Sequence, residues 1–237
     1  MSDAQHHSPA QAGGGVFMRR VQTFVRREGR VTAAQARALE ELLPHWSWPQ
    51  GCAAPAEAFG REAPTVLEIG FGAGENLLAQ AQAQPERNFI GLEVHRPGVG
   101  QLLHRAAQAG LTNLRVCTQD ALEFLQQRLP EASVDRIQVW FPDPWPKKRH
   151  HKRRIIQRAH LDHFARVLRP GGELLAATDW ADYAEWMREH LEAHPALENV
   201  HGAGQTAPRC AERILTRFEA RGLRLGHSVA DYAYRRR

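Results

Sequence analysis

Thr65-Val66-Leu67-Glu68-Ile69-Gly70-Phe71-Gly72-Ala73-Gly74-Glu75-Asn76 carries a short apolar run into a glycine-spaced loop and then into a helical stretch that ends near Pro85. A brief run of β-branched and aliphatic residues reads as a strand covered on both faces. The glycines that follow permit a tight turn with the backbone open to a ligand. The same unit recurs downstream. Asn88-Phe89-Ile90-Gly91-Leu92 predicts a second strand, followed by a helix through Leu102, Leu103 and Ala106 to Gly110. Leu114-Arg115-Val116-Cys117 predicts a third, followed by a helix from Ala121 to Leu129. A fourth strand leads through Ile137, Val139, Trp140 and Phe141 toward Asp143, and Glu173 to Asp179 forms a fifth before a helix from Trp180 to His190. Repeated strand–helix units of this length predict an α/β fold with a mostly parallel, doubly wound sheet.

The flanks complete this plan. Ala33 to Leu43 reads as a helix with Thr32 as N-cap, stopped before Pro44. Residues 44–64, with Trp46, Trp48 and Phe59, read as a linker packed on the main domain. A helix through Ile155, Ile156, Leu161, Phe164 and Leu168 is expected to stop at Pro170-Gly171-Gly172. The tail, Arg213 to Glu219 and then Leu225 to Tyr234, reads as a closing antiparallel pair. Trp180, Tyr183 and Trp186 fall at helical spacing and are assigned to the core. Residues 1–28 read as a flexible basic arm, containing Arg19, Arg20, Arg26 and Arg27, ahead of a domain over 29–237.

Composition narrows the function. A net charge of +5 and a pI near 9.5 favour an acidic partner, and the excess is locally clustered. No apolar run is long enough to span a membrane. Cys52, Cys117 and Cys210 are odd in number and form no CxxC pair, which argues against a disulfide framework or a metal centre and fits a reducing cytoplasm. A monomer is expected, with a homodimer as the alternative.

In a doubly wound sheet, ligands bind beyond the carboxyl ends of the strands. Acids mark those ends: Glu68, Glu93, Asp120, Asp143 and Asp179. Such a rim suits a ligand with a neutral or positive centre and sugar hydroxyls better than a pyrophosphate. The loop agrees, because Asn76 lies where no glycine is called for and Glu75 opens the helix, where it repels phosphate. The spacing of Gly70, Gly72 and Gly74 behind Glu68 resembles the S-adenosylmethionine-binding loop of Rossmann-like methyltransferases. Glu93, about 20 residues past the loop, stands where an acid takes ribose hydroxyls. Asp120 is placed to accept from an adenine amino group, or to cap the helix after it.

One stretch adds a second chemistry. Phe141-Pro142-Asp143-Pro144-Trp145-Pro146 sets three prolines against an acid and an indole. Each proline fixes its own φ and bars the residue before it from the right-handed helical region, so Asp143 and Trp145 are expected to be extended and stiff. A run with six Lys/Arg and two His follows at Lys147-Lys148-Arg149-His150-His151-Lys152-Arg153-Arg154. It reads as an RNA-phosphate strip or, alternatively, as the solvated start of a helix.

This stretch resembles the signature of the bacterial tRNA (guanine-N7-)-methyltransferases. Glu68 to Gly72, Gly91 to His95, Thr178-Asp179-Trp180, Thr216 to Gly222 and Gly226-His227 are similar to that family's other blocks. The resemblance runs from about Gly29 to the C-terminus. It implies a Rossmann-like class I methyltransferase in which Glu68, Glu93, Asp120 and Asp143 bind S-adenosylmethionine. It implies guanine contacts from Lys147, Asp179, Thr216, Arg217, Phe218 and Glu219, and tRNA contacts from Arg149 to Arg154. The target would be guanine 46 of the variable loop. Guanine N7 carries an in-plane lone pair, so Asp143 is expected to orient the base and offset developing positive charge, without acting as a general base. The alternatives are a methyltransferase for another RNA or a small molecule, a non-catalytic RNA-binding protein of the same fold, and, more distantly, an NAD-dependent oxidoreductase.

Overall fold

The computed structural model describes residues 22–24, 29–226 and 228–237, without the side chains of Arg217, Phe218 and Leu223. The remainder of the expected basic arm, including Arg19, Arg20, Arg26 and Arg27, lies outside the described residues, as does His227. Seven strands form one sheet in the order β3-β2-β1-β4-β5-β7-β6. They are β1 (Thr65–Ile69), β2 (Asn88–Leu92), β3 (Leu114–Cys117), β4 (Val134–Trp140), β5 (Leu168–Thr178), β6 (Leu197–Asn199) and β7 (Ala230–Arg236). Strands β1 to β5 pair in parallel, and β7 runs antiparallel to both β5 and β6.

Helices α1 (Ala33–Glu41), α2 (Leu43–Trp46), α3 (Pro55–Phe59), α4 (Glu75–Ala83) and α5 (Arg96–Gln108) precede or interleave the first strands. Helices α6 (Ala121–Arg128), α7 (Arg158–Val167), α8 (Ala181–Glu192) and α9 (Arg217–Arg224) follow. Thr32 caps α1 with a full capping box to Gln35. The two faces of the sheet bury separate cores. Val66, Phe89, Val99 and Leu102 pack with α1, α4 and α5, while Leu67, Ile90, Phe124 and Phe164 pack on the other side. Alternate residues of β1 therefore serve opposite cores, which is why the run is apolar without interruption. Trp48, from the expected linker, is buried edge-on to Phe124. No helix among the described residues is long and apolar enough to cross a membrane.

Three expectations are corrected. The tail contributes a helix and one strand: α9 begins after Thr216, whose hydroxyl accepts from the Glu219 amide at 3.2 Å, and β7 pairs with the three-residue β6. Ile155 and Ile156 lie ahead of α7, because backbone groups of Arg154 to Ile156 bond to the side chains of Gln157, His160, Tyr183 and Trp186. Pro170-Gly171-Gly172 falls inside β5, where the pairing with β4 shifts register.

Candidate active site

The sheet order turns at β1 and β4, and the crevice opens beyond their carboxyl ends. Two adjoining recesses occupy it. The first is lined by Gly70, Glu93, Gln119, Ala121, Phe141 and Asp143, with Thr23 and Phe24 of the N-terminal segment. The second is lined by Glu68, Gly70 to Ala73, Asn76, Phe141, Arg213 and Thr216. Gly70 and Phe141 belong to both.

The glycine loop makes the shared floor. Gly70, Gly72 and Gly74 all have positive φ (75°, 58° and 74°), a region open to glycine at little cost. A Cβ on Gly74 would also stand 2.8 Å from Leu102, so this position at the α4 N-terminus is closed to larger residues. Glu93 braces the loop. One carboxylate oxygen accepts from the Gly72 amide at 2.8 Å, and the other accepts from Val94 and His95. Asp120 caps α6, accepting from Leu122 at 2.8 Å and Glu123 at 3.2 Å, while its neighbours Gln119 and Ala121 face the first recess.

Glu68 is buried and accepts from Asn76 Nδ2 at 2.8 Å. Burial pushes its carboxyl up from 4.5 to about 7, against the Asn76 bond, and the nearby charge of Glu93 adds to the rise. A carboxyl with a raised native pKa favours folding fully below its unfolded value, and that advantage is lost as pH rises through about 7. Glu68→Gln is therefore expected to change the melting temperature little at pH 4, below the ordinary value of 4.5. At pH 8 it should stabilise the ligand-free protein by roughly 1–3 kcal/mol, read from melting curves at the two pH values. Equal shifts at both would contradict the assignment.

Asp143 is exposed on the rim of the first recess. The proline loop that presents it is strained, and not uniformly extended. Trp145, expected to be extended, has φ 46°, and Phe141 has φ 50°. Both precede prolines, which bar the right-handed region, and the chain reverses here between β4 and the next turn. Left-handed backbone at a non-glycine residue costs about 1–2 kcal/mol. The structure offsets this with Arg154, whose guanidinium donates to the Pro144 carbonyl at 2.9 Å and to Asp182. Arg154 also lies over Tyr183 and Trp186 at 4.8 and 4.9 Å.

The profile of a family described as "Putative methyltransferase" matches residues 62–232. A tRNA (guanine-N(7)-)-methyltransferase of Halorhodospira halophila is 56% identical over 92% of this chain and 96% of that protein. One from Alkalilimnicola ehrlichii is 53% identical over 96% and 97%. The chain belongs to the bacterial tRNA (guanine-N7-)-methyltransferase family. Among solved structures, the 16S rRNA methyltransferase KamB matches with a TM-score of 0.55 at 20% identity, over 92% of this chain and 99% of that one, which establishes the class I methyltransferase fold.

Several residues of this methyltransferase sit differently from expectation. The basic run forms a 3-10 helix (Lys148–Arg153) that exposes Lys148, Arg149 and Lys152, with exposed Lys147 just before it. His150, half-buried against Trp145, is held below the usual histidine range by desolvation and then by the cations Arg149, Arg153, Lys147 and Lys152. Arg153 lies over the Trp145 ring at 5.0 Å. Arg154 is completely buried, so it braces the loop and is not an RNA contact. His151 turns inward against Trp186, with its Nε2 3.9 Å from Asp182.

Glu219 lines neither recess: it is 3% exposed and held in ion pairs with Arg209 (3.0 Å) and Arg213 (2.8 Å). Thr216 faces the second recess, Asp179 lies half-buried at the end of β5, and the side chains of Arg217 and Phe218 lie outside the described residues. Trp180, assigned to the core, is 43% exposed beside Asp179 because it precedes α8, whereas Tyr183 inside the helix is buried. Arg213 and the tie from Asn76 Oδ1 to the Ile214 amide at 3.2 Å were not legible beforehand. The only sign was a polar residue, Asn76, on the inner side of an otherwise apolar helix start.

Proposed function

We propose that this enzyme transfers a methyl group from S-adenosylmethionine to N7 of guanine 46 in the variable loop of tRNA, with Asp143 holding the base at the cofactor. The observation that carries this reading is the exposed carboxylate of Asp143 on the rim of a recess shared with Gly70 and Glu93. The residues present fit the cofactor. Glu93 faces the first recess, where ribose hydroxyls can be taken, and the buried Glu68 lies in the second, where an ammonium would restore its ionised form. Asp120 has a second carboxylate oxygen left for the adenine amino group. Bound there, S-adenosylmethionine supplies an electrophilic methyl on a sulfonium.

The chain's own residues do the rest by placement and charge. N7 attacks with a lone pair it already carries, so no proton leaves first and no general base is needed. The product ring is cationic. Asp143, accepting from guanine N1–H and N2–H, both orients the ring and stabilises the charge that grows on it. Asp179 and Lys147 are proposed to complete the base contacts, with Thr216, Arg217 and Phe218 beyond them. N7 lies in the deep groove of A-form RNA, which side chains cannot enter, so the guanine must be looped out or drawn from its stack.

Lys148, Arg149 and Lys152 project from one short turn and are assigned to tRNA phosphates. Reversing all three to Glu is expected to raise KM for tRNA at least about tenfold, leave kcat at saturation unchanged and flatten the salt dependence of binding by about 2 in log–log slope. Filter binding from 50 to 200 mM salt checks this, and an unchanged slope would move the RNA elsewhere. The three unpaired cysteines suit a reducing cytoplasm. The function itself is tested by incubating tRNA with methyl-labelled cofactor and cleaving with borohydride and aniline. Scission at guanine 46 is expected, and label that resists cleavage would refute the assignment.

A further inference from the structure

The second recess contains a buried cation that the methyl transfer does not use. Arg213 is 2% exposed. Its Nη2 donates to both oxygens of Asp231 (2.8 and 2.9 Å), Nη1 pairs with Glu219 at 2.8 Å, and the guanidinium lies 5.2 Å from the Trp140 ring and 5.1 Å from Phe141. Its Nε has no hydrogen-bond partner among the described residues. A buried N–H without an acceptor is rare and costly, so a residue held this firmly beside a recess points to an acceptor that arrives with a ligand. Local charge is balanced, Arg209 and Arg213 against Glu219 and Asp231. Also lining the recess are Glu68, the Glu75 carboxylate, 4.0 Å from Arg105, and Thr216. The N-terminus of α4 is a poor anion site by itself, because Glu75 occupies its first turn.

One recess with a carboxylate and a guanidinium on its walls matches the two ends of an α-amino acid. We propose that Arg213 receives the carboxylate of the cofactor's amino-acid end, in the recess where Glu68 takes its ammonium. The assignment rests on the S-adenosylmethionine reading above and adds a residue to it. The nucleoside half then lies in the first recess with Glu93, and the two halves join past Gly70 and Phe141. With Glu68 ionised, its charge offsets the sulfonium, while the amino-acid zwitterion and the Arg209–Glu219–Arg213–Asp231 group are each neutral.

The test is calorimetric titration of S-adenosylhomocysteine and of 5′-methylthioadenosine, which lacks the amino-acid end, into wild type and Arg213→Gln. Loss of a charge-assisted contact is expected to weaken S-adenosylhomocysteine about 10- to 100-fold in the variant and leave 5′-methylthioadenosine within about twofold. Equal weakening of both ligands would make Arg213 a structural support only, and unchanged S-adenosylhomocysteine affinity would also overturn the proposal. Wild type that binds neither ligand would sink the cofactor reading and this assignment with it. If Arg213→Gln does not fold, wild type alone decides. Decarboxylated S-adenosylhomocysteine is expected to bind about 10- to 100-fold more weakly than the parent, and equal affinity would contradict the assignment.

Discussion

Asp143→Asn is expected to bind S-adenosylhomocysteine within a few-fold of wild type and to transfer methyl to tRNA about 10²- to 10³-fold more slowly in single turnover. The substitution keeps the shape of the side chain, and Asp143 is exposed, so the fold should not register it. What it removes is the negative charge beside a ring that becomes cationic. It also swaps one acceptor oxygen for a donor, and that donor faces the N1–H and N2–H of guanine, where two donors cannot pair. Both losses grow as the methyl moves, so kcat should fall more than KM rises. A variant that turned over at nearly the wild-type rate would place the base-holding carboxylate elsewhere, with Asp179 the next candidate.

Arg154→Met is expected to destabilise the protein by about 2–4 kcal/mol and to lower methyl transfer by at least about tenfold at temperatures where it remains folded. Met fills much of the same volume, so the loss is not mainly a cavity. The Pro144 carbonyl loses its donor, and the faces of Tyr183 and Trp186 lose the cation between them. Asp182 is exposed and can return to water, which keeps the cost below that of a fully buried broken pair. The activity loss follows because the loop holding Asp143 carries left-handed backbone at Phe141 and Trp145, which relaxes when the brace is gone. Thermal melting and single-turnover rates measure the two effects. An Arg154→Met enzyme of normal stability with weakened tRNA binding alone would return Arg154 to the RNA-contacting group.

The parallel half of the fold was legible because its signals are local. Five apolar runs alternate with amphipathic stretches, and each acid of the rim lies within three residues of the end of its strand. The C-terminal third was less so. Arg213 to Glu219 mixes charged, β-branched and aromatic residues and imitates a strand, yet Arg213 and Glu219 pair with each other and with Arg209 and Asp231, partners set by tertiary packing. The same holds for the basic run. Eight consecutive cationic or imidazole side chains look alike on the page, but a 3-10 turn sends Lys148, Arg149 and Lys152 outward and Arg154 into the core. Trp180 was misplaced because helical spacing was extended one residue past the true start of α8. Proline chemistry was legible at Phe141 and Trp145, both of which stay out of the right-handed region. It excludes the right-handed region, however, without choosing between extended and left-handed backbone at Trp145.

The central claim is that the crevice delivers guanine N7, and no other atom, to the methyl group. A tRNA carrying 7-deazaguanosine at position 46 replaces that nitrogen by a C–H and leaves the N1–H and N2–H edge intact for Asp143. In single turnover with labelled cofactor it is expected to accept no methyl, while competing with unmodified tRNA at nearly the same affinity. Transfer of label to the 7-deaza substrate would contradict the account, because the acceptor atom would then lie elsewhere on the RNA.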